Sequence, residues 1–288
     1  MEECPEGEIP KRFPKGTNFL QRNREFVCGW GAASINILVT FPLNKVIFRQ
    51  MLHNLTIPAA ARQIRSEGIV HLYRGVLPPL LQKSVSASIM FGMYDEAKKP
   101  FADSDLPVTL VKIIAAISAG SLESILAPFE RIQTLLQHER YHTDLLNMKH
   151  TVVYLYKRHG LKEFYRGVTP ILLRNGPSNA CFFLIREQAM SALPECSTLT
   201  VSVLQTFAIG ASTGAFCSTV FYPCNVVKVH LQRKIGGPFQ SVTSAVKEIY
   251  LKRGSIRGFF RGVHLNYTRA CLSWGITNTA YEGLKRLL

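Results

Sequence analysis

Long uncharged stretches recur along the chain. No charged side chain occurs between Glu25 and Lys45, and none occurs from Cys196 to Val227. A helix of about 20 apolar residues is enough to cross the hydrocarbon core of a bilayer. Both stretches are therefore predicted to be membrane spans.

Four further apolar stretches each contain one charged residue well away from their ends. They are Gly75 to Tyr94 with Lys83, Ile113 to Phe129 with Glu123, Gly167 to Ile185 with Arg174, and Gly262 to Tyr281 with Arg269. A charge inside a membrane costs about 3 kcal/mol or more unless it faces water or a partner. The pattern predicts an all-α membrane protein of six transmembrane helices around a polar interior, and the alternative is that these side chains snorkel from helix ends.

The six stretches form three copies of one unit. An aromatic-Arg-Gly triplet recurs at Tyr73-Arg74-Gly75, Tyr165-Arg166-Gly167 and Phe260-Arg261-Gly262, and prolines recur at Pro42, Pro128 and Pro223. Amphipathic stretches around residues 148–156 and 242–249 predict short helices on the membrane surface. We expect a polar tail at residues 1–24 and pseudo-symmetric repeats at 25–104, 105–197 and 198–288, with helices kinked at the prolines.

Charge and composition narrow the partners. The chain has a net charge of +15, yet 18% of its residues are charged and 47% are hydrophobic, which is too apolar for a disordered basic tail. The basic residues are spread along the whole chain instead of forming the cluster that nucleic-acid binding requires. We therefore expect no nucleic acid, and attraction to an anionic membrane or an anionic solute.

The repeated motifs resemble those of the mitochondrial carriers, over nearly everything after residue 24. That family carries P-x-[DE]-x-x-[KR] on odd-numbered helices and [FY]-[DE]-x-x-[KR] on even-numbered ones. The first motif is present as the segments beginning at Pro42, Pro128 and Pro223, and the second as those at Tyr94, Arg186 and Tyr281. The resemblance implies a multi-pass transporter of the mitochondrial inner membrane that opens and closes an ion-pair ring at each end of a central cavity.

The same resemblance assigns the two rings. The matrix-side gate residues are Glu130, Lys228, Gln137 and Gln232; the cytoplasmic-side gate residues are Asp95, Lys98, Glu187, Glu282 and Lys285. In the family pattern the matrix ring can form only the Glu130–Lys228 pair, because Asn44 would face Gln133 and Asn225 would face Ile47. With two of three pairs missing, we expect the empty carrier to rest mostly open to the matrix.

Counting back 13 residues from the acids Glu187 and Glu282 reaches Arg174 and Arg269, and from Asp95 it reaches Gln82, beside Lys83. The family binds substrate at this depth. The predicted substrate-binding residues are Gln82, Lys83, Glu123, Arg174, Asn175 and Arg269. Arginines suit phosphates or carboxylates, and Glu123 either neutralises these bases or contacts a cationic part of the substrate.

Longer strings resemble the animal mitochondrial NAD carrier subgroup of this family. They are residues 129–137, 171–179, 266–269 and 273–276. The resemblance implies transport of oxidised NAD into the matrix. One alternative is a carrier of another phosphorylated nucleotide or of an organic acid. By the general pattern of the family, the Arg174-Asn175 pair alone would favour the organic acid. The other alternative is a non-transporting membrane scaffold.

The sequence also bears on lipids, cofactors and metals. The resemblance implies cardiolipin at the turns that contain Arg74, Gly75, Arg166, Gly167, Arg261 and Gly262, where helix N-termini offer free N–H groups to phosphate. We expect no enzymatic activity, no resident cofactor and no metal site, and a monomer. The H-E-x-x-H match at residues 138–142 lies where a span ends, without an obvious third zinc ligand.

Overall fold

This computed structural model describes residues 24–86, 108–192 and 199–287. The predicted tail at 1–24, apart from Arg24, and the gate residues Asp95 and Lys98 lie outside these ranges. The described residues form helices and short 3-10 turns joined by loops.

Each repeat has the same order of elements. The first contains α1 (Arg24–His53), α2 (Ile57–Glu67) and α3, described at 77–86; the second contains α4 (Val108–Glu123), α5 (Ala127–Gln137), α6 (Met148–His159) and α7 (Val168–Ser191); the third contains α8 (Leu199–Val220), α9 (Tyr222–Gln232), α10 (Val242–Arg253) and α11 (Val263–Leu287). The first long helix packs along α11, α4 packs along α7, and α8 contacts both α7 and α11. The long helices therefore surround a common axis.

The prolines act differently in the three repeats. In the second, a 3-10 segment at Ser124–Leu126 separates α4 from α5, and Pro128 is the second residue of α5. In the third, the break falls at Phe221, just before Pro223. The first long helix instead continues through Pro42. A proline lacks one backbone donor, so a break or bend is expected at each of these positions.

Short helices close one end of the bundle. They are α2, α6 and α10, as the amphipathic pattern predicts. Each is followed by a 3-10 turn that leads into the second long helix of its repeat, which is α3, α7 or α11. Leu155 on α6 packs against α5, and Ile249 on α10 packs against α9, in two apolar clusters. This packing fixes the end of the bundle at which the proline-containing helices converge.

Buried arginines join neighbouring repeats at that end. Arg49 donates to Glu67 of its own repeat and to Glu139 of the next, both at 2.8 Å. Arg131 donates to Glu163 at 2.5 Å and reaches the backbone carbonyls of Gln232 and Lys234 in the third repeat. Both arginine side chains are fully buried. Removing either partner of such a pair leaves an uncompensated charge, so these contacts hold the repeats together.

Candidate substrate-binding site

Glu130 on α5 is the centre of the candidate site. One carboxylate oxygen accepts a hydrogen bond from Lys228 on α9 at 2.9 Å. The other accepts from Arg174 on α7 at 3.1 Å and from Gln82 on α3 at 3.4 Å. Four helices thus meet at one carboxylate, and the end of the bundle beneath it is closed.

Arg174 makes two further contacts. Its guanidinium donates to Asn225 on α9 at 2.7 Å and to its neighbour Asn175 at 2.8 Å. The predicted Glu130–Lys228 pair is present, and Arg174, which lies outside the gate motifs, forms a second ion pair with Glu130. Asn225, which the family pattern places opposite Ile47, accepts a hydrogen bond from Arg174. The long side chain of Arg174 reaches from α7 to the ring formed by α5 and α9. A count of the charges on the proline-containing helices alone could not reveal this contact.

The other predicted substrate-binding residues differ in their surroundings. Arg269 on α11 is half-buried and donates to Asn266 at 3.1 Å. Glu123, at the end of α4, accepts from Ser86 on α3 at 2.9 Å. Lys83 is exposed. Their roles in binding stay predictions.

A cavity of about 240 Å³ lies next to the gate. Its basic lining residues are Arg174, Lys228 and Arg269, and its amide lining residues are Asn44, Gln133, Gln137, Asn225 and Asn266. Phe48 and Met51 contribute apolar surface. The cavity therefore combines phosphate-binding side chains with amides that can hydrogen-bond a neutral polar group.

The predicted glutamines of the matrix gate differ in their surroundings. Gln232 is fully buried and accepts from Thr134 at 3.0 Å. Gln137 is only 3% exposed and lines the cavity, and its side-chain nitrogen has no hydrogen-bond partner. The described cytoplasmic gate residues Glu187, Glu282 and Lys285 are exposed at the far ends of α7 and α11. The bundle formed by the described residues is thus closed at the end where the proline-containing helices meet.

Two of the three aromatic-Arg-Gly turns direct their arginines to protein partners, whereas Arg261 is exposed. Arg74 donates to carbonyls of the next repeat, at 2.9 Å to His142 and 3.2 Å to Tyr141. Arg166 binds Glu163 and donates to the carbonyl of Gly237 at 2.7 Å. These two side chains are therefore committed to protein partners. Lipid binding stays a prediction, now carried by the backbone N–H groups beside the glycines.

Several contacts at this end of the bundle have no counterpart among the sequence motifs. Glu139 of the H-E-x-x-H match binds Arg49, and His53 at 2.9 Å. His138 ends α5 and residues 139–141 form a 3-10 turn, so the motif does not present two imidazoles on one helical face. Arg49 and Glu67 are close in sequence, so their pairing could have been suspected from the chain. No sequence pattern links Arg49 to Glu139 in the next repeat.

The sequence matches the family model described as "Mitochondrial carrier protein" three times, at residues 21–105, 106–196 and 199–288. The chain belongs to the mitochondrial carrier family. It is accordingly a multi-pass transporter of the mitochondrial inner membrane, not an enzyme, with six transmembrane helices in three repeats. By length and hydropathy alone, two helical stretches among the described residues qualify as spans, Val27–His53 and Ile113–Gln137. Polar residues that face the carrier interior lower the hydropathy of the others.

Several curated carriers align along nearly the whole chain. The mitochondrial nicotinamide adenine dinucleotide transporter SLC25A51 of Mus musculus is 39% identical over 268 residues, which cover 92% of this chain and 90% of the mouse protein. The Homo sapiens protein of the same name is 40% identical over 267 residues, with the same coverage. The mitochondrial glycine transporter B of Danio rerio is 26% identical over 273 residues.

Proposed function

We propose that this carrier transports oxidised nicotinamide adenine dinucleotide across the inner membrane into the matrix. The observation that supports this most directly is the pair of arginines, Arg174 and Arg269, which line one cavity beside the closed gate. The similarity to carriers named as transporters of this dinucleotide points the same way.

The interior suits the charges of this substrate. A pyrophosphate offers several oxygens to the two arginines, and guanidiniums bind such oxygens through forked, charge-assisted hydrogen bonds. Lys228 is a third base in the cavity lining, the exposed Lys83 is a further predicted one, and Glu123 offers a carboxylate to the positively charged nicotinamide ring. Glu123 keeps one hydrogen bond to Ser86, which orients the carboxylate without neutralising it.

Arg174 links binding to gating in this proposal. In the closed gate it is paired with Glu130. A pyrophosphate that enters from the cytoplasm competes with Glu130 for the same guanidinium, so substrate binding weakens the closed matrix end. A ligand shifts a conformational equilibrium only through such a difference in contacts between the two states.

Uptake into proteoliposomes tests the proposal. Purified carrier should accumulate labelled dinucleotide, and unlabelled dinucleotide outside should compete. A non-transporting scaffold would show no uptake of any solute. An organic-acid carrier would take up dicarboxylates or keto acids and ignore the dinucleotide, and either result would reject the proposed substrate.

A further inference from the structure

Trp30 is an exposed aromatic side chain on the first long helix. It is 50% exposed, and its indole nitrogen donates a hydrogen bond to Ser84 on α3 at 2.5 Å. Ser84 directly follows Lys83, one of the predicted substrate-binding residues. The indole ring is therefore held at the depth of Lys83, on the cytoplasmic side of the closed gate, where a substrate can reach it.

The position of Trp30 on α1 directs it toward the carrier interior. Phe48, which lines the cavity beside the gate, follows Trp30 by about five helical turns, and Asn44, another lining residue, follows it by about four. The three residues therefore share one face of the helix. Val39 is also exposed, but it lies about two and a half turns from Trp30, on the opposite face. Trp30 thus faces the substrate pathway, whereas Val39 faces the surrounding lipid.

Two serines on α3 hold Trp30 and Glu123. Ser84 accepts a hydrogen bond from Trp30, and Ser86 donates one to Glu123 at 2.9 Å. The serines are two residues apart, which is about 3 Å along the helix axis and about 200° around it. Trp30 and Glu123 therefore approach α3 from opposite sides at nearly the same depth.

We infer that Trp30 and Glu123 form the nicotinamide subsite of the carrier, an inference that rests on the proposed function. The oxidised nicotinamide ring is a flat cation. The face of a tryptophan ring attracts a cation more strongly than other aromatic side chains do, and it also stacks on a flat ring. The Glu123 carboxylate supplies the opposite charge from the other side of α3. The hydrogen bond to Ser84 fixes the indole before the substrate arrives, which reduces the entropy lost on binding.

Charge decides which part of the dinucleotide occupies this subsite. Adenine can also stack on an indole ring, but it is neutral and gains nothing from Glu123. Reduced nicotinamide is neutral as well, so it loses the attraction to both side chains. The subsite therefore selects the oxidised nicotinamide ring, while Arg174 and Arg269 bind the pyrophosphate.

Competition with an analogue that lacks nicotinamide tests the subsite in proteoliposomes. At a low concentration of labelled dinucleotide, Trp30→Leu should weaken competition by the oxidised dinucleotide roughly fivefold, as expected for a lost cation–π contact. Adenosine diphosphate ribose is the same molecule without the nicotinamide ring, and its competition should stay unchanged. Trp30→Phe keeps an aromatic face and should give an intermediate loss. Val39→Ala, on the opposite face of α1, is the control and should behave like wild type. An equal loss for both competitors in Trp30→Leu would overturn the subsite.

Fluorescence gives a readout that does not depend on transport. The chain contains two tryptophans, so Trp274→Phe leaves Trp30 as the sole indole. Oxidised dinucleotide should quench its emission with saturation, because a stacked pyridinium ring accepts charge from an excited indole, and adenosine diphosphate ribose should quench it much less. Dinucleotide uptake without such quenching would overturn the subsite and leave the proposed function intact. Saturable quenching without dinucleotide uptake would reject the proposed function and keep the subsite.

Discussion

Arg174 on α7 donates a hydrogen bond of 2.7 Å to Asn225 on α9, at the position where the family motif has an acid. Arg174 also pairs with Glu130 on α5. One side chain at substrate depth therefore connects three helices of the closed gate. Substitutions here should affect both binding and the balance between the two open states.

Replacing the two arginines should separate these effects. Arg174→Ala and Arg269→Ala should each lower dinucleotide uptake about tenfold or more, because a partly buried charged hydrogen bond contributes about 1.5–3 kcal/mol. Only Arg174→Ala should also increase labelling of a cavity cysteine from the matrix side, since Arg269 contacts Asn266 and not the gate. Arg140→Ala, in an exposed turn, is the control. Wild-type uptake in both arginine variants would rule out this binding site.

Glu123 should distinguish the redox forms of the substrate. Glu123→Gln keeps an acceptor for Ser86 but removes the charge, so it should weaken competition by the oxidised dinucleotide more than by the reduced form, whose nicotinamide ring is neutral. Initial rates of competed uptake in proteoliposomes measure both. Equal losses would mean that Glu123 only balances the basic residues of the cavity.

The Arg174–Asn225 contact changes what a single gate substitution should do. Asn225→Asp creates a carboxylate beside Arg174, so it should strengthen matrix closure by itself, without a new lysine at Ile47. A gain of 1 kcal/mol shifts a two-state population about fivefold. An impermeant thiol reagent applied from each side to a single cavity cysteine, in a cysteine-free background, reports the ratio. Asn278→Asp, at an exposed position on α11, is the control, and an unchanged ratio in Asn225→Asp would contradict the structure.

The end of the bundle beyond α5 should lose stability in acid through His142. Burial and neighbouring cations lower the pKa of His142 to about 3, so the folded protein resists its protonation. The neighbouring cations are Lys45, Arg74 and Arg49, the ring of His71 stacks on that of His142, and Glu67 lies 3.9 Å away as an opposing charge. A histidine with a lowered folded pKa contributes stability at neutral pH that is lost as pH falls below about 6.5, by up to about 1.4 kcal/mol per pH unit.

The measurement is the unfolding temperature of purified carrier between pH 7 and pH 4. His142→Gln should flatten its decline, whereas His264→Gln, at an exposed position on α11, should not. If both variants followed the wild-type curve, His142 would not be a source of the acid sensitivity.

Close packing behind Arg174 should be intolerant of any side chain at Gly120. A Cβ atom at Gly120 would lie 2.7 Å from the backbone oxygen of Asn175, so Gly120→Ala must push α4 away from α7. Overpacking of this kind costs about 1–3 kcal/mol, and here it would also displace Arg174. Gly29→Ala meets no atom within 4 Å and is the control. Thermal unfolding and uptake should both fall in Gly120→Ala; unchanged values would show that the helices are not in contact at this position.

Much of the architecture could be predicted from the chain itself. Long uncharged stretches predict the membrane spans, and recurring motifs predict the three repeats. The prolines predict the breaks near Pro128 and Pro223. Each of these features depends only on residues that are close in sequence. The residues Arg174 and Arg269 could be placed at one depth for the same reason. A charged residue inside an apolar segment must find a partner, so the sequence also predicted where chemistry would lie.

Partners were decided by the tertiary structure. The sequence determined six helices in three repeats and the charges they carry. Only the packing of α5, α7 and α9 decided that Arg174 contacts both Asn225 and Glu130. It also decided that Gln137 lies buried at the cavity with a free donor. Periodicity fixes the face of a helix on which a residue lies, but hydrogen bonds require donor and acceptor within about 3 Å. That distance depends on how closely two helices approach and on how far each side chain reaches.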